Sequence, residues 1–352
     1  MILTYLIFLL GSIGFSLVLN KILLKFASNL GIRGTHESLV RWSAQAKPAV
    51  GGISFYVIFL LSITILPFVL GMPILRDEKF LGIVIACTLA FLMGLADDAY
   101  NTKPMLKFAV QILCGLVFLV FGIVIHISPY TWLNNLFTLF WVVGMMNSLN
   151  MLDNMDGITT SVSLTILVSA IFLSQLNAQA NNTLLLLITV AGTLLGFLYY
   201  NWNPSKLFMG DTGSQFLGAF LAGIGIIYFW NSNDAQGDLY PSRQFCISIM
   251  TFIIPICDTS IVVINRIYKG SSPFVGGKDH TTHHLSYWGL SDRMVAVSFA
   301  AISGVAMALT LFMTSIGSNW GMLQFFVCGG FFLAVFSFLF YVTKTTSPPN
   351  KK

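Results

Sequence analysis

The chain is dominated by apolar stretches, each close to the length that a helix needs to cross a bilayer. A transmembrane helix takes about 20 predominantly apolar residues. Eleven such stretches are present, separated by polar connections that are mostly short. We therefore expect an all-α fold, a polytopic membrane helical bundle of about eleven transmembrane helices. The stretches lie at roughly 2–24, 50–71, 80–96, 105–127, 131–149, 160–177, 183–200, 214–230, 244–264, 294–315 and 320–343.

Composition excludes a water-soluble globular protein. Hydrophobic residues make up 56% of the chain and charged residues only 9%, too few to cover the surface of a soluble protein of this size. We expect one transmembrane domain over 1–343 and a disordered polar tail over 344–352. The first apolar stretch has no basic segment before it and no small-residue cleavage site after it, which favours a retained helix over a signal peptide.

The basic residues predict the orientation of the bundle. With the N-terminus outside, fifteen lysines and arginines fall on the inner side, and only Arg76, Lys79 and Arg243 fall outside. The positive-inside rule then places the N-terminus outside and the C-terminus inside. The net charge of +5 follows from this topology and requires no nucleic-acid partner.

The same topology gathers the ionisable residues at the inner helix ends. Carboxylates close to hydrocarbon are costly, so they are functional candidates by default. Asp258 is different, because it falls inside an apolar stretch, where function and a helix-packing hydrogen bond are equally open. The inner set comprises Asp97, Asp98, Asp153, Asp156, Asp211, Asp279, His280, His283 and His284.

The first motif is GLADDAYNTKPMLKF, which holds adjacent carboxylates at Asp97 and Asp98 and a lysine at Lys107. Such a group is suited to holding a metal ion and a phosphate side by side. The alternative is a hydrated turn with a snorkelling lysine.

The second motif is NSLNMLDNMDG. Its polar residues Asn147, Asn150, Asp153 and Asp156 recur every three residues, which places them near one face if the segment is helical. Their oxygens suit magnesium, and the amides can donate hydrogen bonds to phosphate or sugar oxygens. Polar contacts between helices are the alternative.

The third motif is FMGDTGSQFLG. Glycines flank Asp211 and allow the backbone to approach a ligand, and we expect the next helix to begin at Ser214, with an N-terminus that favours anions. Asp211 would then bind a metal beside a diphosphate. A simple turn with a helix cap is equally open.

The fourth motif is the long inner connection NRIYKGSSPFVGGKDHTTHHL. Arg266 and Lys278 supply positive charge for phosphates, and His280, His283 and His284 can bind phosphate, donate protons or ligate metal. A transition-metal site is the alternative. Phosphate recognition fits better, because the nearby carboxylates already suit magnesium.

Together, in this order, the four motifs resemble the polyprenyl-phosphate N-acetylhexosamine-1-phosphate transferase family. The resemblance covers about residues 47–290, beginning with KPAVGG. The GKDHTTHHL loop is similar to that of the undecaprenyl-phosphate N-acetylglucosamine-1-phosphate transferase branch of glycosyltransferase family 4. The related phospho-N-acetylmuramoyl-pentapeptide transferases carry a Pro-x-His-His-His-Phe-Glu loop, which is absent here. One departure is Asn154, where the family often has the first glycine of Asp-Gly-x-Asp-Gly.

The resemblance implies transfer of N-acetylhexosamine-1-phosphate, expected to be N-acetylglucosamine-1-phosphate, from a UDP-sugar to undecaprenyl phosphate. UMP is released, and the lipid-linked product begins a cell-envelope polysaccharide such as a lipopolysaccharide O-antigen or a teichoic acid. The domain over 1–343 is then catalytic. It is expected in the bacterial inner (plasma) membrane with its active site on the cytoplasmic face, and a homodimer is left open.

The resemblance also implies roles for individual residues. Asp97, Asp98, Asp153 and Asp156 are expected to be catalytic, and Asp211 and Asp153 to bind Mg²⁺, with Mn²⁺ as an alternative. Arg41 and Lys47 do not align cleanly with the family and receive no role. The expected substrate-binding residues are Lys107, Asn147, Asn150, Arg266, Lys278, His280, His283 and His284.

Two other classes of membrane protein also place carboxylates in helical bundles. A cation-coupled transporter would carry them near the bilayer midplane on broken helices, whereas here they cluster at one face. A prenyltransferase for aromatic substrates binds diphosphate through aspartates. The Gly-Asp-Thr-Gly-Ser turn and the GKDHTTHHL segment, which we call the histidine loop, argue against such an enzyme.

Overall fold

The computed structural model describes residues 2–27, 47–71, 77–176, 182–232, 240–272, 276–315 and 320–348. These residues form helices and connections, with no strand among them, which confirms the predicted all-α membrane bundle. The helices are α1 Ile2–Phe26, α2 Gly51–Leu70, α3 Glu78–Tyr100, α4 Pro104–Val120, α5 Thr131–Leu152, α6 Ile158–Leu176, α7 Asn182–Asn201, α8 Gly210–Gly225, α9 Pro241–Thr251, α10 Ile253–Tyr268, α11 Thr281–Tyr287, α12 Asp292–Ser315 and α13 Met322–Thr345.

Every predicted apolar stretch contains a helix, but not all of these helices are long enough to cross a membrane alone. Within the described residues nine helices meet that length and composition, and α9 and α10 together would add a tenth. The 17-residue α4 is shorter. The count of eleven and the orientation of the termini stay predictions. Helix α13 runs to Thr345, two residues into the predicted tail, and 349–352 lie outside the described residues.

The stretch predicted as one helix over 244–264 is broken into α9 and α10, which meet at an angle of 79°. Pro255 explains the break. Its nitrogen has no hydrogen to donate to the carbonyl of Thr251, and its ring crowds the same carbonyl. A bend is thereby built into the helix that leads to the histidine loop.

Helix α4 ends early, at Val120, because the chain turns through Gly122 at a φ of +70°. The following backbone is not helical, and side chains satisfy it. Thr138 accepts from the N–H of Ile125 at 3.0 Å, and the Asn231 amide donates to the carbonyl of Val124 at 2.7 Å. Buried backbone outside a helix requires such partners.

Helix α8 lies at the centre of the bundle. Every residue from Thr212 to Gly225 is buried, and the chain continues beyond it as one π-helical turn over Ile226–Trp230. Two glycines let neighbouring helices reach its first turn. A Cβ on Gly94 of α3 would overlap the carbonyl oxygen of Asp211, and one on Gly52 of α2 would overlap the backbone nitrogen of Gly213. The backbones therefore approach one another closely where the third motif begins α8.

We predict that Gly94→Ala destabilises the protein by about 1–3 kcal/mol, because the new methyl group must displace backbone atoms of α8. Thermal unfolding in detergent measures the effect. Gly304→Ala in α12 is the matched control, since a Cβ there meets no atom within 4 Å. Equal melting temperatures for the two variants would contradict the close approach.

Candidate active site

The first turn of α8 is capped from outside by a carboxylate of α3. Asp98 accepts hydrogen bonds from the backbone nitrogens of Asp211 and Thr212 at 3.1 and 2.8 Å, and from Thr212 Oγ1 at 2.6 Å. The helix can therefore begin at Gly210, four residues before the predicted start at Ser214. Gly210 has a φ of +72°, and a Cβ there would lie 2.6 Å from Asp98 Oδ2.

Lys107 lies between two carboxylates. Its ammonium forms an ion pair with Asp97, and a second one with Asp211, whose Oδ2 is 2.8 Å away. Asp97 also accepts from the backbone nitrogen and hydroxyl of Thr102, and its side chain is 3% exposed, against 29% for Asp211. Asp97 therefore anchors the lysine from the buried side, and Asp211 is the carboxylate that a ligand can reach.

Asn150 of α5 completes the surroundings of Asp211. Its amide nitrogen lies 2.9 Å from Asp211 Oδ1 and 2.8 Å from the hydroxyl of Ser214. With Lys107 on the other oxygen, both oxygens of Asp211 are oriented by side chains from two further helices. This orientation holds the carboxylate in one position at the start of α8.

One helical turn deeper, amides repeat the arrangement. Gln111 donates to Gln215 at 3.3 Å and accepts from Asn147 at 2.7 Å. Gln111 follows Lys107 by four residues, and Gln215 follows Asp211 by four, so each pair shares a helix face. We name this two-level arrangement the polar ladder; its members are Lys107, Gln111, Asn147, Asn150, Asp211 and Gln215.

The second motif does not continue as one helical face. Helix α5 ends at Leu152, with Asp153 as its half-exposed C-terminal cap, and the chain then turns to Gly157 at a φ of +74°. Asp156 consequently points away from the polar ladder. It accepts from the backbone nitrogen and hydroxyl of Ser205 at 2.9 and 2.7 Å.

Further contacts of Asp156 tie this turn to the segment that precedes α2. Asn203 donates to it at 3.1 Å, and Lys47 lies 3.5 Å from it and 3.0 Å from the Ser205 hydroxyl. Lys47, for which no role was predicted, thus takes part in the packing of two connections. Arg41 lies outside the described residues.

In the fourth motif, Arg266 at the end of α10 holds Asp279 through two parallel hydrogen bonds of 2.8 and 2.7 Å. Burial acts to raise the pKa of Asp279, but the hydrogen bonds and charge of Arg266 outweigh it, so the pKa lies below its usual value. Lys278 precedes this pair, and its carbonyl accepts from the hydroxyl of Tyr287 at 3.2 Å. Arg266 therefore fixes the loop that carries the histidines.

The segment predicted as a loop becomes helical at Thr281: His280 is the N-cap of α11, and His283 and His284 lie within this helix. The three histidines have different partners. Nδ1 of His280 lies 2.9 Å from Asp258, and Nδ1 of His284 lies 2.7 Å from the hydroxyl of Thr346. Nδ1 of His283 accepts from the backbone nitrogen of His280 at 3.4 Å. Burial, assisted by the charge of His280, lowers the pKa of His283 to about 3. Burial, together with Lys269, lowers the pKa of His284.

A hydrogen bond joins the histidine loop to the second motif. The Thr282 hydroxyl donates to the amide oxygen of Asn154 at 2.7 Å. Asn154 follows Asn150 by four residues, and Asn150 contacts Asp211. The connection places the fourth motif beside the end of α5, so all four motifs meet at one end of the bundle.

The residues fit a magnesium ion that is shared with a substrate, but not a metal site made of protein ligands alone. Within the described ranges no three His, Cys, Asp or Glu side chains converge as a metal-binding group. Mg²⁺ is commonly held by one or two carboxylates together with substrate phosphates. The accessible Asp211, with Asp153 at the nearby end of α5, supplies ligands of that type, and Lys107 shows that this place accommodates positive charge.

Comparison with known proteins decides the family. The model of glycosyl transferase family 4 matches residues 80–229. A phospho-N-acetylmuramoyl-pentapeptide-transferase of Streptococcus equi subsp. zooepidemicus is 31% identical over 314 residues, covering 80% of this chain and 88% of the relative. The chain belongs to glycosyl transferase family 4. A second relative is the probable undecaprenyl-phosphate N-acetylglucosaminyl 1-phosphate transferase of Bacillus subtilis, 27% identical over 259 residues, 71% of this chain and 68% of that protein.

Membership makes this family 4 transferase a multi-pass membrane enzyme that transfers a sugar phosphate to a polyprenyl phosphate lipid. The matched residues 80–229 include the Asp-Asp pair, the Asn-Asp stretch and the Gly-Asp-Thr-Gly-Ser turn. The histidine loop follows the matched segment, and its contact through Asn154 joins it to the same site.

We predict that the pH dependence of stability reports the buried neutral His283. Its pKa is about 3 in the folded protein and about 6.5 when unfolded. Below about pH 6.5 the unfolded chain binds a proton that the folded protein does not, so stability falls as the pH decreases towards 3. His283→Gln should flatten the decline of melting temperature in detergent from neutral pH to about pH 5. The exposed His126 provides the control His126→Gln, and an equal flattening there would refute the assignment.

Proposed function

We propose that the enzyme transfers N-acetylglucosamine-1-phosphate from UDP-N-acetylglucosamine to undecaprenyl phosphate. An oxygen of the lipid phosphate forms a bond to the sugar-proximal phosphorus of the donor, and the bond from that phosphorus to the oxygen of UMP breaks. The products are UMP and a lipid-diphosphate-linked sugar. The observation that carries the proposal is the Lys107–Asp211 pair, oriented by Asn150 at the N-terminus of a central buried helix.

In this proposal Lys107 places positive charge beside the diphosphate. Its ammonium is fixed by Asp97 and Asp211, and substrate phosphates would lie on its accessible side. Charge placed in advance where negative charge develops is the main source of catalysis in phosphoryl transfer. Asp97 is then the partner of the lysine, because its buried carboxylate is already occupied by Lys107 and Thr102.

Asp98 and Asp156 act by positioning in this account. Asp98 holds the first turn of α8, and Asp156 holds the 203–205 connection. Asn147 orients Gln111 within the polar ladder, and Asn150 orients Asp211. Asp211, with Asp153, would hold Mg²⁺ or Mn²⁺, which when bound neutralises the diphosphate and the departing phosphate of UMP.

The histidine loop would receive the nucleotide sugar. Arg266 fixes the loop through Asp279, which lies between Lys278 and the first of the histidines. Because the lysines and arginines are concentrated at this end of the chain's helices, we place the site at the cytoplasmic face of the bacterial inner membrane.

The identity of the sugar rests on the histidine loop and on the relative from B. subtilis. The GKDHTTHHL loop lacks the Pro-x-His-His-His-Phe-Glu pattern of the muramoyl-pentapeptide branch. The second candidate donor is UDP-N-acetylmuramoyl-pentapeptide, which is favoured by the 31% identity to the streptococcal relative. These two donors differ in the lactyl-peptide substituent on the sugar, which the enzyme either binds or excludes.

The test is a panel of donors with purified enzyme, undecaprenyl phosphate and Mg²⁺ in detergent. We expect lipid-linked product and equimolar UMP from UDP-N-acetylglucosamine, and none from UDP-N-acetylmuramoyl-pentapeptide. Product from the pentapeptide donor alone would transfer the assignment to the second candidate. Failure with every UDP-N-acetylhexosamine would refute the proposed donor class.

We predict that Lys107→Met lowers kcat/KM by at least about 100-fold, since it removes a fixed positive charge from the diphosphate site. Lys107→Arg should recover part of the activity, because it keeps the charge with altered geometry. Lys103→Met is the matched control, as Lys103 is exposed at the start of the same helix. Equal activities of Lys107→Met and Lys103→Met would contradict the role of Lys107.

A further inference from the structure

A buried carboxylate of the broken helix contacts the histidine loop at three points. Asp258 in α10 is 1% exposed and accepts from the backbone nitrogen of Thr281 at 2.9 Å and from its hydroxyl at 2.5 Å. Both of these bonds go to Oδ1. The other oxygen, Oδ2, lies 2.9 Å from Nδ1 of His280. One carboxylate thus docks the loop through one oxygen and orients a histidine ring through the other.

This contact decides which ring nitrogen of His280 carries its proton. An ionised carboxylate can only accept hydrogen bonds, so Nδ1 of His280 must be the donor. In the neutral ring Nε2 then keeps its lone pair, and in the doubly protonated ring it becomes a cationic donor. No group in the described part of the chain hydrogen-bonds to Nε2, although the residue is only 5% exposed.

The neighbouring histidines are fixed differently. His283 accepts through Nδ1 from a backbone N–H, so its proton lies on Nε2, and its pKa of about 3 keeps it uncharged. His284 is tied by Nδ1 to a hydroxyl near the end of α13. Among the ring contacts described above, the one made by His280 goes to a carboxylate.

We propose that Asp258 is a positioning residue for the transfer reaction: it fixes the His280 ring so that Nε2 points to a phosphate oxygen of the nucleotide sugar. The inference rests on the proposed function. With a carboxylate on one nitrogen and a phosphate on the other, the ring carries both protons and contributes a charged hydrogen bond to the donor. The Thr282–Asn154 bond places this ring on the loop that adjoins the second motif.

The variant Asp258→Asn separates the positioning of the His280 ring from the docking of the histidine loop through Thr281. The asparagine oxygen can still accept from Thr281, but its amide would donate to Nδ1 of His280 and move the ring proton to Nε2. We expect kcat/KM for UDP-N-acetylglucosamine to fall by about 10- to 100-fold, with the KM for the lipid phosphate unchanged. Asp258→Glu should recover part of the activity. Thr281→Val, which removes only the hydroxyl bond to Asp258, should lower thermal stability and retain kcat/KM.

A double-mutant cycle tests whether Asp258 acts through His280. In the His280→Gln background, Asp258→Asn should cost no further activity. Losses that multiply in the double variant would overturn the proposal and leave Asp258 as a residue of helix packing.

A second readout needs no catalysis. Ring ¹⁵N resonances of histidine-labelled protein without substrates, assigned by loss of the signal in His280→Gln, should show Nδ1–H in the wild type and Nε2–H in Asp258→Asn. An unchanged tautomer would overturn the inference. Should the wild type transfer no sugar phosphate from any UDP-N-acetylhexosamine, the proposed donor class fails, while the tautomer measurement still decides whether Asp258 orients His280.

Discussion

The site depends on the capping of one helix by another. Helix α8 begins in the interior at Gly210, where its first backbone N–H groups would lack partners, and Asp98 from α3 accepts two of them. The same carboxylate fixes Thr212, and the preceding side chain, Asp211, stays partly exposed. Gly94 and Gly52 allow the surrounding backbones to approach this turn. The position of the accessible carboxylate therefore follows from how α2, α3, α4 and α5 converge on the start of α8.

Charge compensation explains why this polar group is tolerated at the edge of a membrane. One ammonium, Lys107, serves two carboxylates, and the N-terminal end of α8 adds its partial positive charge. One turn deeper the ladder uses amides, which satisfy each other without net charge. Carboxylates therefore outnumber the ammonium at the first turn of α8, whereas the level of amides below it carries no charge. A diphosphate with its magnesium ion suits such a place, because the ion would bind the carboxylate and the lysine would pair with the phosphates.

Much of this could be predicted from the sequence, since apolar length and lysine distribution report directly on the bilayer. The four motifs also identified the residues that meet at one end of the bundle. Helix ends were less predictable. The start of α8 depends on Asp98, which lies 113 residues away from Asp211 in the chain. Likewise, Asp156 was expected on the face of α5, but the helix ends at Leu152 and the carboxylate binds the 203–205 connection instead.

The inner level of the ladder had a signal that was missed. Gln111 and Gln215 each follow a charged residue of the site by four positions in an otherwise apolar helix, the spacing of one helix face. Asp258 carried a weaker signal, because a lone carboxylate in an apolar stretch has no visible partner until the chain folds back through the broken helix. The carboxylate lies on α10, which follows the 79° bend at Phe252, and such an angle is not encoded by residue spacing.

The most direct measurement is a cryo-EM structure of the purified enzyme with UDP-N-acetylglucosamine and Mg²⁺ in the absence of lipid. We expect the diphosphate beside Lys107 and Asp211, the metal density on Asp211, and a phosphate oxygen facing the histidine loop. Nucleotide density elsewhere, with the Lys107–Asp211 pair undisturbed and uncontacted, would show that transfer does not take place at this helix start.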